Sequence, residues 1–514
     1  MVSFDKYKSV HLLSKLSKNP IDLKKALTTS RVKQFKAKNI GFNFLFACER
    51  IDENIFNILL DLAKESKALD KIYDMQSGKK INFIENVESE NTQILHTATR
   101  DFFGDSIGDK KARDKAFLEI EKLKEFLDKK NGFFENIIHI GIGGSILGVR
   151  SMYYALKGFS KKKKKVYFIS NIDPDDLSRV LEEVDLSKTV VISVSKSGTT
   201  LETLTNEIFI REELKKNNLN PKNHIISVTS KNSKMDDKNR YLEVFYIWDY
   251  ISGRFSSTSM VGGVTISLSL GFDIYFEVLK GANAMDRVAR EKNMLNNLPL
   301  ISALLSIWNR NFLKYQTNII SAYSKALWYL CFLVQQLEME SNGKSIDKKG
   351  KKVNFETGSI IWGDIGTDAQ HSFFQFLHQG TDIAHIEFIG FLKSQYEKDL
   401  KIEETTSQEK LISNLIAQSI ALAMGKKSDN LNKKFEGNRP SSILSCDRLT
   451  PFSFGALLSY YENKVTFEGF IWNINSFDQE GVQLGKVLSK KMLAFFAKKE
   501  KFELGEAFLK EMKD

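Results

Sequence analysis

Short apolar runs that alternate with longer amphipathic segments predict an α/β chain with two parallel sheets. Three observations carry this. From about residue 136, the runs Ile137–Ile142, Val166–Ser170, Val190–Val194, Ile225–Val228 and Val244–Ile247 are apolar and β-branched, the pattern of strands buried on both faces. Between them lie helical patterns such as Asp175–Val184 and Leu201–Lys216. Strands alternating with helices build a parallel sheet, and right-handed crossovers make it doubly wound. A second series follows, with helical stretches over roughly 285–340 and apolar runs at Ser359–Trp362, Ala384–Phe391 and Ser442–Cys446, separated by helices such as Leu411–Met424.

The flanks read as helical. In Glu53–Ala68, Ile55, Ile58, Leu59, Leu62 and Ala63 fall on one face, and the first 95 residues as a whole read as mostly helical. A last helix is expected over Gly485–Ala497. The expected organisation is an N-terminal helical segment (1–100) packing on the second domain, a first α/β domain (101–275), a second (285–475), and a C-terminal segment with its helix (476–514). No Pro/Gly linker marks the boundary near 265–290.

At 514 residues the chain can bury several cores, and 42 % apolar with 27 % charged residues excludes disorder as the dominant state. Lys and Arg number 75 against 64 Asp and Glu, a net charge of +11. That leaves nucleic acid, an acidic membrane surface or a small anionic substrate as partners. No basic motif interleaved with aromatics argues for nucleic acid, and the lysine run Lys161–Lys165 reads as a solvated turn before a strand. Cys48, Cys331 and Cys446 are far apart and odd in number, so reduced thiols are expected rather than disulfides. The longest apolar run, Ala326–Val334, is far short of the roughly 20 residues that span a bilayer, and no signal-peptide pattern opens the chain. A cytoplasmic protein without a membrane partner is expected. The seven histidines form no HExxH or His-x-His cluster, so no metal is expected.

Two loops at predicted strand ends suit a phosphate. One is Gly141-Ile142-Gly143-Gly144-Ser145. The other is Ser195-Lys196-Ser197-Gly198-Thr199-Thr200-Leu201-Glu202-Thr203, with five hydroxyls and a lysine in nine residues. In open α/β sheets, ligands sit at the carboxyl ends of strands, where helix N-termini favour anions. Neither loop is a dinucleotide fingerprint or a Walker A motif. The bland alternative is that the hydroxyls only cap the following helix.

Four further stretches are dense in polar residues. Gln335–Lys344 closes an apolar helix, and Glu340 there could be partly desolvated into a useful base. Gly366–Phe374 reads as a helix start with Thr367 or Asp368 as cap, placing His371 near a positive helix end that favours neutral imidazole. Ser252–Ser256 sets Arg254 among small residues, and Phe477–Lys486 leads into the last helix.

In these segments the sequence resembles the glucose-6-phosphate isomerase (phosphoglucose isomerase) family. The matching motifs are IGIGGSILG at Ile140–Gly148, SKSGTTLET at Ser195–Thr203, SGRFS at Ser252–Ser256, QQLEMESNGKS at Gln335–Ser345, WGDIGTDAQHSFFQFLHQGTD at Trp362–Asp382, FEGNRPS at Phe435–Ser441 and IWNINSFDQEGVQLGK at Ile471–Lys486. Met75–Asn82 and Ile94–Arg100 are similar too, and the matches run in order over most of the chain. The resemblance implies two sugar-isomerase α/β/α sandwich domains in a homodimer. It implies reversible conversion of glucose 6-phosphate to fructose 6-phosphate, a glycolytic and gluconeogenic step, with no cofactor. By position, Glu340 matches the base that moves a proton through an enediol, and Arg254 the cation beside it. His371 matches the ring-opening group, supplied by the partner subunit, and Lys486 a second ring-opening contact. Ser195, Lys196, Ser197, Gly198, Thr199, Thr200 and Thr203 match the phosphate loop, and Gly144, Ser145, Gln336 and Gln479 further sugar contacts. Gly198 stands where the family often carries Phe, Ile146 where it usually carries Asp, and Glu480 where Trp is frequent. The alternatives are an isomerase of a related sugar phosphate and a non-catalytic sugar-phosphate-binding protein of the same fold.

Overall fold

A computed structural model describes residues 2–130, 132–160 and 164–513. The chain forms two compact units, one ending at Ser476 and the other beginning at Phe477. In the first unit, β1 (Lys36–Asn39) and β2 (Phe42–Cys48) form a hairpin. Five strands follow: β3 (Asn136–Ile140), β4 (Lys165–Ile169), β5 (Thr189–Ser195), β6 (Ile225–Thr229) and β7 (Glu243–Tyr246). They pair in the order β4-β3-β5-β6-β7, every pair parallel. All seven residues of β5 are buried, as a central strand covered on both faces requires.

The second sheet is built from β8 (Thr317–Ala322), β9 (Ile360–Trp362), β10 (His385–Lys393) and β11 (Ser441–Arg448), with β8–β9, β8–β10 and β10–β11 parallel. The N-terminal hairpin completes it: β2 runs antiparallel to β11, giving the order β1-β2-β11-β10-β8-β9. The two parallel sheets expected from the sequence are present, with two corrections. The helical reading of the first 95 residues misses the hairpin, whose Phe42, Phe44 and Phe46 alternate inward. The helical reading of 285–340 misses β8, which lies between a helix ending at Ile307 and one beginning at Leu330. Of the lysine run, Lys161, Lys162 and Lys163 lie outside the described residues, while Lys165 opens β4 and pairs with Glu183 at 2.9 Å.

One helix, Pro451–Trp472, is buried from Ser453 to its end. Its start follows from local chemistry. The Thr450 hydroxyl accepts from the Ser453 N–H, the Ser453 hydroxyl accepts from the Thr450 N–H, and Pro451 occupies the first turn, where its missing N–H costs nothing. The helix Phe272–Ala289 crosses it so closely that a Cβ on Gly281 would lie 1.8 Å from the Phe452 carbonyl oxygen. One on Gly455 would lie 2.0 Å from that of Val278. Arg100 ties the two helices together: its guanidinium meets both Asp286 oxygens at 2.7 and 2.9 Å and a Glu462 oxygen at 2.7 Å, all buried. Burial pushes the Glu462 carboxyl up to about 7 against the pull of Arg100.

The second unit carries a short 3₁₀ turn, Glu480–Val482, and the helices Gln483–Phe496 and Glu503–Glu511. Among the described residues, no helix is long and apolar enough to cross a membrane. The three cysteines are free thiols.

The glycine crossing yields a stability prediction. Gly281→Ala and Gly455→Ala should each lower unfolding free energy by about 1–3 kcal/mol, the usual range for overpacking a filled core. Because both act on one crossing, the double variant should lose less than the sum, as read from urea unfolding midpoints.

Candidate active site

The Leu330–Asn342 helix delivers Gln336 and Glu340 to one face, four residues apart. Gln336 donates its amide to Glu340 Oε2 at 2.8 Å. The other carboxylate oxygen, Oε1, faces Arg254 Nη1 at 3.4 Å. Arg254 sits in a 3₁₀ turn, Gly253–Phe255, and is only 2 % exposed, whereas the Glu340 side chain is 26 % exposed. A buried cation thus lies behind a carboxylate that solvent can reach. Arg254 also donates from Nε to the Ser341 hydroxyl at 2.7 Å and from Nη2 to the Ser476 carbonyl at 2.6 Å.

The first glycine loop packs directly on this turn. A Cβ on Gly144 would lie 2.1 Å from the Gly253 carbonyl oxygen and 2.6 Å from the Arg254 nitrogen, so only glycine fits. One on Gly143, whose φ is +57°, would meet Gln336 Nε2 at 3.1 Å. Behind the loop, the ring of His139 bridges the Ser145 carbonyl at Nε2 and the Thr265 hydroxyl at Nδ1, both at 2.8 Å. A carbonyl only accepts, so Nε2 carries the hydrogen and Nδ1 accepts from Thr265. Burial lowers the His139 pKa to about 4, which keeps the ring neutral.

The second loop leaves the end of β5. Thr200 occupies the cap position of the Leu201–Lys216 helix, yet its hydroxyl makes no capping bond. It shares a hydrogen bond with Ser195 Oγ at 2.8 Å instead. Ser195 Oγ also accepts from the Gly198 N–H, and the Ser197 hydroxyl accepts from the Thr199 N–H and hydroxyl. Gly198 adopts φ +65°, a region that Phe enters only with strain, and a Cβ there would press on Ser233. Thr203 is buried and donates to the Val194 carbonyl at 3.4 Å. Lys196 turns away from the hydroxyls: its ammonium donates to the Asp249 and Ile251 carbonyls at 2.9 and 2.8 Å. Burial pulls its pKa down, with Asp249 opposing. Lys196 therefore ties the hydroxyl loop to the segment that leads into Arg254.

His371 makes none of the contacts that join Glu340, Arg254 and Gln336. It is exposed, ends the 3₁₀ turn Asp368–His371, and makes no hydrogen bond or ion pair with any described residue. The expected helix start is displaced: the helix begins at Phe374, and Thr367 makes no side-chain cap. Lys486 lies in the Gln483–Phe496 helix of the second unit, and Gln479 immediately precedes the 3₁₀ turn before it without a side-chain capping bond. Sequence reasoning missed Ser341, His139 and the Ser476 carbonyl. Ser341 and Ser476 fall inside quoted motifs, but a backbone carbonyl and a ring facing a turn leave no mark in composition. Among the described residues, no group of three or more His, Cys, Asp or Glu side chains could hold a metal.

The site thus combines, on an α/β scaffold with parallel strands, a hydroxyl loop at one strand end and a guanidinium–carboxylate pair beside a glycine loop. The phosphoglucose isomerase family model matches residues 45–505, and the chain belongs to that family. It is 50 % identical to a glucose-6-phosphate isomerase of Protochlamydia amoebophila over 99 % of this chain and 97 % of that one. It is 45 % identical to that of Chlamydia trachomatis serovar D over 97 % and 96 %. The crystal structure of a glucose-6-phosphate isomerase from Chlamydia trachomatis D/UW-3/Cx superposes with a TM-score of 0.97 at 44 % identity, covering 100 % of this chain and 99 % of the other. A protein from Thermus thermophilus at 23 % identity shares the fold, with a TM-score of 0.65 over 85 % of this chain and 97 % of its own.

The loop geometry can be tested in two ways. Gly144→Ala should cost at least about tenfold in kcat/KM, because a 1 Å shift of a positioned group costs that or more. A value within twofold of wild type would refute the claim that this contact sets the loop. His139 is neutral when folded, and its pKa falls from an ordinary 6.5 to about 4. Across that window the unfolded chain binds a proton that the folded chain does not, so stability rises with pH. His139→Gln should flatten this part of the pH dependence of urea midpoints.

Proposed function

We infer that the chain interconverts glucose 6-phosphate and fructose 6-phosphate as an aldose–ketose isomerase. The observation that carries the reading is the Glu340 carboxylate set between Arg254 Nη1 and Gln336 Nε2 in a chain of this family. Glu340 takes the proton from C2 of the open-chain aldose and returns it to C1. Between these steps the substrate is a cis-enediol, and hydroxyl hydrogen is exchanged between O1 and O2, so the reaction balances without redox change. Arg254 supplies fixed positive charge where the oxygens become negative; one such preorganised donor is worth about 100-fold or more.

The hydroxyls of Ser195, Ser197, Thr199, Thr200 and Thr203, with the amides of the loop, receive the phosphate, whose binding holds the sugar against Glu340. Gly144, Ser145, Gln336 and Gln479 contact the sugar. His371 from a second subunit and Lys486 serve ring opening, so the working form is a homodimer; an imidazole suits proton transfer at neutral pH. The protein works in the cytoplasm on a small sugar phosphate, without nucleic acid or membrane.

A coupled assay on both sugar phosphates, with mannose 6-phosphate as control, tests the reading. Interconversion of the glucose and fructose esters is expected, and preference for the mannose ester would replace it. Glu340→Gln should lower kcat by roughly two to four orders of magnitude with little change in KM. Near-normal turnover would remove Glu340 as the base.

A further inference from the structure

We infer that Ser341, Asn342 and Ser476 are positioning residues that hold the Arg254 guanidinium in register with Glu340, an inference that rests on the isomerase reading above. Arg254 is anchored along one edge: Nε to the Ser341 hydroxyl at 2.7 Å and Nη2 to the Ser476 carbonyl at 2.6 Å, while Nη1 faces Glu340. The first anchor is the residue next to Glu340 in the same helix. The second depends on where Ser476 sits, and its own hydroxyl fixes that by donating to Asn342 Oδ1 at 2.8 Å. Gly469 makes room, since a Cβ there would lie 1.9 Å from the Ser476 hydroxyl.

Asn342 has one usable orientation. Its Nδ2 donates to Glu338 Oε2 and the Val465 carbonyl, both at 3.0 Å, and faces Glu468 Oε2 at 3.4 Å. A flipped amide would set its oxygen against the Val465 carbonyl, which can only accept, so Oδ1 is left for Ser476. Lys464 stands 3.7 Å from Glu468, and the whole group is buried. Three consecutive residues of one helix thus act together: Glu340 faces the substrate side, and Ser341 and Asn342 set the cation that serves it.

The chemistry of the anchors points to a functional role rather than to packing alone. Arg100, equally buried, is matched by the carboxylates of Asp286 and Glu462. Two of the anchors of Arg254 are neutral acceptors instead, the Ser341 hydroxyl and the Ser476 carbonyl. The hydroxyl and the carbonyl fix one edge of the guanidinium through directional hydrogen bonds, and Nη1 stays turned to Glu340, beside which an oxyanion would form.

The test is steady-state kinetics of Ser476→Ala and Ser341→Ala in the full-length protein, alone and combined with Arg254→Lys, with thermal midpoints measured alongside. Each serine variant should lose about tenfold in kcat with KM within twofold. In the Arg254→Lys background, which lacks the anchored fork, either change should cost less than a further twofold. Unchanged kcat, a rise confined to KM, or losses that multiply in the double variants would overturn the inference. Should one serine variant not fold, the other is read by the same criteria. Wild-type turnover tests the isomerase reading separately. If that turnover is absent, a crystal structure of Ser476→Ala still decides the anchoring: Arg254 Nη1 should leave its 3.4 Å contact with Glu340, and an unmoved guanidinium would refute it.

Discussion

A guanidinium shut away from water must find partners, and the partners decide what its charge does. Removing one ion of a buried pair leaves an uncompensated charge, worth about 3–5 kcal/mol in lost stability. Arg100 meets this constraint with two carboxylates from crossing helices, and its charge is consumed in holding them. Arg254 donates to a hydroxyl and a carbonyl along one edge, and turns Nη1 to a carboxylate that solvent reaches. The same residue type, at similar depth, joins two buried carboxylates in one place and reaches a solvent-accessible carboxylate in the other.

Bringing Arg254 beside a helix from the other half of the chain requires backbone to approach backbone. Glycine supplies that closeness at two levels. Gly281 and Gly455 let two long buried helices cross at carbonyl contact, which fixes the frame holding Arg100. Gly144 does the same against Gly253 within the site, so the loop and the Arg254 turn have no slack between them. His139 then supports the loop from behind through the Ser145 carbonyl, in a tautomer set by that carbonyl, with Thr265 on the other nitrogen. Packing at this density converts small displacements into discrete losses rather than gradual ones.

Much of the scaffold is legible in the chain, for physical reasons. The strands of the first sheet are continuous apolar runs because both faces are covered, and observed ends fall within a residue or two of the expected ones. The hairpin is legible too, in the period-two alternation of Phe42, Phe44 and Phe46 after the turn at Gly41, but the surrounding helical patterns mask it. Thr317–Ala322 is harder, since six residues beginning with Thr-Asn carry no period of their own and become a strand by pairing with β10. Within the site, residue types and motifs mark Glu340, Arg254 and the hydroxyl loop. Their mutual placement is a property of the topology: Arg254 and Glu340 lie far apart in the chain, and local pattern does not measure that distance. Lys196 shows the limit from the other side. Its position in a hydroxyl-rich loop invites a phosphate contact, and only the fold reveals two backbone carbonyls at its ammonium.

That placement of Lys196 alters how the loop can hold an anion. Two of the three ammonium hydrogens are committed to carbonyls, so the donors facing outward are chiefly hydroxyls and amides. Neutral donors bind a phosphate through directional, short-range hydrogen bonds, whereas a cluster of lysines would bind it through a field that salt screens within about 8–10 Å. Of Lys196 and Arg254, it is Arg254 that turns an edge to the Glu340 carboxylate. In the proposed isomerisation, a loop that grips by geometry and a cation beside the base would divide the work in the way the reaction needs. The phosphate keeps its charge throughout, while charge at the sugar oxygens rises only in the transition state, and fixed charge is most effective where charge develops.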